Sequence, residues 1–179
     1  MLLGLAATLA LAVRPLRAQG TAAPPAEVAQ ALPRVRLQGQ GRLRFLGLQV
    51  YDIRLWAADT LLVERWQDTP LALELTYART LQGQAIAERS LQEMQRQGPI
   101  AASQAERWLA AMTRLFPDVR DGDRLTGLYR PGGGATFYFN GQARGELVDA
   151  EFARRFFGIW LAPQTSEPGL RERLLGIGR

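Results

Sequence analysis

The chain of 179 residues contains neither cysteine nor histidine, and all 22 of its basic residues are arginine. These absences exclude disulfide bonds, thiolate and imidazole catalysis, zinc sites of the cysteine/histidine type, and haem ligation by either residue. Catalysis would have to use arginine, tyrosine, carboxylate or hydroxyl groups. We therefore expect no metal and no cofactor, and a cysteine-free chain also suits an oxidising compartment.

The net charge of +5 is spread along the chain rather than gathered into a basic run. Nucleic-acid-binding proteins cluster their basic residues, so no nucleic-acid partner is expected. A biased base composition of the genome explains the exclusive use of arginine more simply than a need for guanidinium groups.

Residues 1–18 have the pattern of a signal peptide, and residues 19–33 that of a linker. The apolar block from Leu2 to Val13 is too short to cross a bilayer comfortably and fits the apolar region of a secretory leader. An uncleaved anchor at the membrane surface is the alternative interpretation. Alanine and proline dominate the linker. We expect an exported protein with one domain at 34–179 and no stable membrane span after leader removal.

Strands are predicted in two groups. Apolar and polar residues alternate around Leu37, Phe45 and Ile53 and over 71–79, which is the period of a strand with one buried face. The second group is divided by turn-forming glycines into three short segments, Arg124 to Arg130, Ala135 to Asn140 and Gln142 to Val148. We interpret this second group as an antiparallel meander.

Helices are predicted between and after these groups. The first spans Gln84 to Gln97, and the second begins with a capping box formed by Ser103 and Glu106. We interpret the Trp and Met residues on the inner side of the second helix as core packing. A third helix begins after Asp149 as its N-cap, and a last one ends at Gly176. The order of these strands and helices along the chain predicts an α+β domain with a large antiparallel sheet covered on one face by helices.

Two stretches carry a resemblance to a known family. The first reads GQGRLRF from Gly39, followed by QVYDIRLW from Gln49; the second contains Gly122-Asp123, then PGGG from Pro131, Asn140-Gly141 and FFGIWL from Phe156. Over 37–176 the chain resembles the bacterial exported members of the chalcone isomerase-like family. The resemblance implies that family's open-faced sandwich, a cleft between sheet and helices, and a periplasmic location.

Plant relatives in this family divide into isomerases, which close the third ring of a chalcone, and non-catalytic fatty-acid binders. The isomerases use an Arg on an early strand, a Thr on the next strand, and a Tyr and an Asn on a following helix. The Arg position falls on Arg42 or Arg44, which share one side of a predicted strand, while Tyr51 stands at the Thr position. The helix of 84–97 offers neither Tyr nor Asn.

This pattern favours a non-catalytic protein that binds a small amphipathic acid, such as a fatty acid, in the cleft. An Arg beside an apolar cleft can clamp a carboxylate, because a low dielectric strengthens charge-assisted hydrogen bonds. Tyr51 shares its face with Ile53 and Leu55 and could donate to the second oxygen; the alternative is a packed Tyr whose hydroxyl is already hydrogen-bonded. A solvated strand face, or an ion pair with Glu74 or Asp52, is the alternative role of both arginines.

Other interpretations stay open. Tyr77 and Arg79 form a second, weaker Arg/Tyr pair at the end of another strand. The alternative function is an isomerase or intramolecular lyase that acts on an unsaturated ketone or a phenolic ligand. A third is a protein-interaction role in the cell envelope, with the cleft filled by side chains. The sequence names no catalytic residue and no oligomeric state.

Overall fold

The structure is a computed structural model that describes residues 23–58, 61 and 63–177. The predicted signal peptide and the first residues of the predicted linker lie outside this described part. Within it, no helix is both long and apolar enough to cross a membrane.

Among the described residues, six antiparallel strands form one sheet, in which each strand lies next to its neighbour in sequence. The strands are β1 Arg36–Phe45, β2 Leu48–Ala57, β3 Leu71–Tyr77, β4 Arg124–Arg130, β5 Gly134–Phe139 and β6 Gln142–Leu147. Both predicted groups of strands are confirmed. Pairing of β3 with β4, with Leu73 opposite Gly127, joins the groups into a single sheet.

Five helices surround the sheet in the described part of the chain. They are α1 Ala26–Ala31, α2 Gly83–Gln95, α3 Ala102–Leu115, α4 Ala150–Leu161 and α5 Pro168–Leu175, with a 3₁₀ segment at Val63–Asp68. Helices α2 to α5 cover one face, which confirms the predicted layers. Trp108 and Met112 of α3 are fully buried, as expected for core packing.

The helix ends test two capping predictions. Asp149 caps α4 as predicted, because its carboxylate accepts a hydrogen bond from the Phe152 amide at 2.9 Å. The capping box at Ser103 is wrong: α3 begins at Ala102, and no side chain caps it. Alanine favours the helix strongly, so the first turn starts one residue before Ser103. Gly176 follows the last residue of α5 and caps the helix with a φ of 68°, as the prediction requires.

A short helix occupies part of the segment predicted as a linker. Val28 of α1 is fully buried and packs with Trp56, Ala72 and Leu128, which point to the sheet face opposite the other helices. The carboxylate of Glu27, also buried, accepts hydrogen bonds from Arg124 at 3.0 Å and from the Thr126 hydroxyl at 2.9 Å. A helix of six residues is too short for its period to be read from sequence.

Candidate functional site

A cavity with a volume of about 350 Å³ lies between the inner face of the sheet and helices α2 and α4. This volume falls in the range of pockets that hold small molecules. Strands β1 to β5 all contribute to its lining, which is mainly apolar and aromatic and includes Leu73, Leu75, Ile86, Phe116, Phe156 and Ile159. Four inter-strand steps separate β1 from β5, so the strands that line the cavity span about 19 Å of the sheet.

Tyr51 of β2 lies in the cavity wall. Its hydroxyl oxygen accepts a hydrogen bond from the indole of Trp160 at 2.9 Å, and the hydroxyl donates to no residue in the described part of the chain. Burial raises the pKa of this phenol well above its usual value. Tyr51 is therefore a neutral side chain with an unused donor in the cavity.

Tyr77 lies directly opposite Tyr51 in the pairing of β2 with β3. The two rings meet edge to face with their centroids 5.8 Å apart, and Tyr77 also lines the cavity. Its hydroxyl forms no hydrogen bond within the described ranges, and burial raises its pKa strongly. The pair places two neutral phenols side by side.

Arg42 and Arg44 separate in the structure. Arg42 lies outside the cavity lining and is paired with Asp52, at 2.6 Å from Nε to Oδ1 and 3.1 Å from Nη2 to Oδ2. This pairing lowers the pKa of the Asp52 carboxyl. Of the alternatives for Arg42, the ion pair with Asp52 is confirmed. Glu74 instead accepts from Arg54 and from the Trp56 indole.

Arg44 lies at the cavity rim, between the cavity and the outer face of the hairpin. A bulge produces this position: Leu43 pairs with Tyr51, but Arg44 pairs with Gln49, so Val50 is the extra residue. Bulges break the alternation of side chains and redirect them. Arg44 has no ion pair in the part of the chain that the structure describes.

Arg79 also lines the cavity. It follows the end of β3, where the Ala78 amide donates to the Val50 carbonyl at 3.0 Å. Arg79 is half-buried and, among residues 23–58, 61 and 63–177, has no ion pair. The two Arg/Tyr pairs that the sequence offers separately, Arg44 with Tyr51 and Arg79 with Tyr77, thus border one cavity.

Helix α2 contributes polar lining that the sequence analysis missed. Glu93 is buried and accepts from Arg89 at 2.6 Å, while the Ser90 hydroxyl donates to the Ile86 carbonyl at 2.8 Å. The signal was present, because residues 86, 90, 93 and 97 fall on one side of a helix. The described residues hold no group of three or more carboxylate, histidine or cysteine side chains that could bind a metal.

These features define a class of protein: an α+β open-faced sandwich with a cavity of small-molecule size between its sheet and its helices. The model of the chalcone isomerase-like family matches residues 20–176, and the chain belongs to this family. Both the family and the fold predicted from sequence are confirmed.

The known proteins that are similar to the chain include a solved structure and a curated relative. A fatty-acid binding protein of Arabidopsis thaliana has the same fold, with a TM-score of 0.64 and 15% identity over 80% of this chain and 87% of that one. An uncharacterized protein of Haemophilus influenzae is 30% identical over 127 residues, which are 71% of this chain. The chain spans 61% of that relative's length.

Proposed function

We propose that the protein binds a small amphipathic acid, such as a fatty acid, without converting it. The observation that carries this proposal is an apolar cavity whose rim holds two arginines, Arg44 and Arg79, that have no carboxylate partner in the described part. The acid's carboxylate binds at this rim, and its apolar chain extends beneath the sheet.

The side chains around the rim favour an anion over a neutral ligand. A guanidinium and a carboxylate form short, charge-assisted hydrogen bonds, each of which contributes about 1.5 to 3 kcal/mol. Tyr51 and Tyr77 are neutral donors, so they can bind a carboxylate oxygen without repelling it. An apolar chain suits the remaining lining, because each buried methylene contributes about 0.8 kcal/mol. The Arabidopsis neighbour, a fatty-acid binding protein, supports this choice of ligand.

Native mass spectrometry and calorimetry test the proposal. The purified protein is expected to carry a fatty acid or to bind dodecanoate with a rise in melting temperature. Arg44→Ala and Arg79→Ala should each lower the affinity for dodecanoate by about 10-fold to 100-fold, which corresponds to the loss of one hydrogen bond to a charged group. Arg42→Ala is the matched control, since Arg42 lies two residues away on the same strand but outside the cavity.

Dodecanol provides a second control, because it keeps the apolar chain and lacks the charge. The three arginine variants should bind it equally. An absence of co-purified ligand together with no thermal shift by any fatty acid would reject the proposal. Equal losses of dodecanoate affinity in Arg42→Ala and Arg44→Ala would reject the assignment of the carboxylate site to the rim.

An isomerase or lyase is the second candidate, favoured by the two neutral phenols beside an arginine. Such donors stabilise an oxyanion when charge develops on a substrate. The reaction would proceed through an enolate or phenolate of an unsaturated ketone. A steady loss of chalcone absorbance that Tyr51→Phe abolishes would support it, and a rate equal to background would exclude it for that substrate.

Export to the periplasm also belongs to this proposal. It rests on the apolar block of residues 2–13 and on the absence of cysteine. Cell fractionation and the intact mass of the accumulated protein test it. A protein found in the cytoplasm at its full mass would contradict export.

A further inference from the structure

Three large apolar side chains are exposed at the tip of the β1–β2 hairpin. Phe45 is 59% exposed, Leu46 85% and Leu48 57%, with Gly47 between them. Single exposed apolar residues are normal on protein surfaces, whereas such clusters mark sites of interaction. We name residues 45–48 the apolar tip.

The backbone of the apolar tip makes the choice of Leu46 unexpected. Leu46 has a φ of 49° and Gly47 a φ of 80°, which is the conformation of a two-residue hairpin turn. Asparagine or glycine normally occupies the first position, since other side chains are strained at positive φ. Leu46 is exposed, so burial of its side chain does not offset this strain. The fold of the turn therefore does not explain the leucine at this position.

The apolar tip is continuous with the cavity and lies in a basic setting. Phe45 and its neighbour Arg44 both line the cavity rim. At this end of the hairpin Arg42 neutralises Asp52, while Arg44 and Arg79, which line the cavity, have no ion pair in the described part of the chain. A surface that combines exposed apolar side chains with excess positive charge matches the interface of an anionic bilayer, where apolar groups enter and cations meet phosphate.

We propose that the apolar tip inserts into the surface of an anionic lipid bilayer. Phe45, Leu46 and Leu48 then lie at the boundary of headgroups and acyl chains, with Arg44 at the level of the phosphates. This orientation turns the cavity rim toward the bilayer. The further consequence, exchange of a fatty acid between membrane and cavity, rests on the proposed function; the docking itself does not.

A local probe can report this insertion directly. Because the sequence lacks cysteine, Leu48→Cys gives one labelling site for a nitrobenzoxadiazole dye, and Val148→Cys, 73% exposed in the wild type, gives the control beyond β6. Vesicles of equal phosphatidylglycerol and phosphatidylcholine should shift the emission of the dye at position 48 to shorter wavelength and leave that at 148 unchanged. No shift at 48, or equal shifts at both positions, overturns the proposal.

Vesicle flotation of unlabelled variants supplies the energetic test. Leu46→Asn should lower the partition coefficient about tenfold, because the variant lacks a leucine side chain that enters the bilayer. Arg44→Gln should lower it about fivefold on anionic vesicles only. Val148→Asn is the matched control and should change it less than about twofold. All proteins must share one N-terminus by intact mass, so that the apolar block of residues 2–13 contributes equally.

The outcomes separate docking from ligand binding and from other partners. Leu46→Asn should bind dodecanoate like the wild type. A wild type that binds dodecanoate but no vesicles overturns docking alone, and one that binds vesicles but no fatty acid overturns only the proposed function. A dimer that Leu46→Asn converts to a monomer, without vesicle binding, overturns docking in favour of a second copy of the chain.

Discussion

The sheet contains two hairpin turns with nearly the same backbone and opposite side-chain chemistry. Leu46 and Asn140 both have a φ of 49°, and each precedes a glycine, with a φ of 80° for Gly47 and 83° for Gly141. The Asn140 side chain accepts from the Arg124 amide at 2.8 Å and donates to Asp123 at 2.9 Å. The Leu46 side chain is almost fully exposed.

We infer from this difference that the same turn backbone stabilises the fold at one edge of the sheet and recognises a partner at the other edge. Asparagine tolerates positive φ, and here its amide also ties the β5–β6 turn to the start of β4. Leucine at the β1–β2 turn costs conformational energy and exposes apolar surface. The β5–β6 turn, which we name the stable turn, serves the fold, and we infer that the β1–β2 turn, which we name the exposed turn, serves a partner.

The largest effect is expected from making the stable turn resemble the other one. Asn140→Leu should lower the free energy of unfolding by about 3 kcal/mol, because two hydrogen bonds are lost and strain at positive φ is added. Urea denaturation measures the change. Asn140→Gly is the matched control: it removes the side chain without the strain, so its loss should be about 2 kcal/mol. Equal stability of Asn140→Leu and wild type would contradict this account of the turn.

The second prediction concerns the anchor beside the stable turn. The buried carboxylate of Glu27 holds Arg124 and Thr126 of β4, next to Gly141. Glu27→Ala leaves both donors without their acceptor and should lower the free energy of unfolding by about 2 kcal/mol. Denaturant unfolding again provides the measurement. Glu64→Ala, at an exposed acid, is the control and should change stability by less than about 0.5 kcal/mol.

Thr126→Val keeps the shape of the side chain and removes one hydrogen bond. Its loss in the free energy of unfolding should therefore be smaller than that of Glu27→Ala. A loss in Glu27→Ala no larger than that of the Glu64 control would mean that α1 does not stabilise this end of the sheet.

The sequence predicts the sheet well because its signals are local. Turn residues such as Asn140-Gly141 and the period of two mark strands that the structure confirms almost residue for residue. Helix α1 escapes prediction, because its stability comes from the packing of Val28 and the ion pair of Glu27, contacts with strands distant in sequence.

The candidate site was predictable in its residue types but not in its geometry. Strict alternation puts Arg42 and Arg44 on one side of β1, and only the bulge opposite Arg44 separates them. The meeting of Tyr51 with Tyr77 depends on the register of β2 with β3, which the sequence does not state. Polar lining from Ser90 and Glu93 was visible as a helical stripe, but the stripe also fits a solvated helix face.

The third prediction runs in the opposite direction, by making the exposed turn resemble the stable one. Leu46→Asn should raise the free energy of unfolding by about 1 kcal/mol, since asparagine suits positive φ better than leucine. For a domain of this size the melting temperature should rise by about 2 to 4 °C. Calorimetry in the absence of lipid measures it. A fall in melting temperature would show that Leu46 stabilises the fold and would remove the inference drawn from its strain.

The smallest expected effect is a pH dependence at the stable turn. Hydrogen bonds from the Asn140 side chain and the Arg120 amide lower the pKa of Asp123 below its usual value. A carboxyl with a depressed folded-state pKa contributes stability above its unfolded pKa, near 3.9, and that contribution is lost as pH falls through the folded value. The difference in the free energy of unfolding between wild type and Asn140→Leu should therefore narrow as pH falls below about 4, as followed by urea titrations at each pH. Leu46→Asn touches no acid, so its difference from wild type in the free energy of unfolding should stay constant over the same pH range. An equal narrowing of this difference in both variants would mean that Asp123 is not the cause.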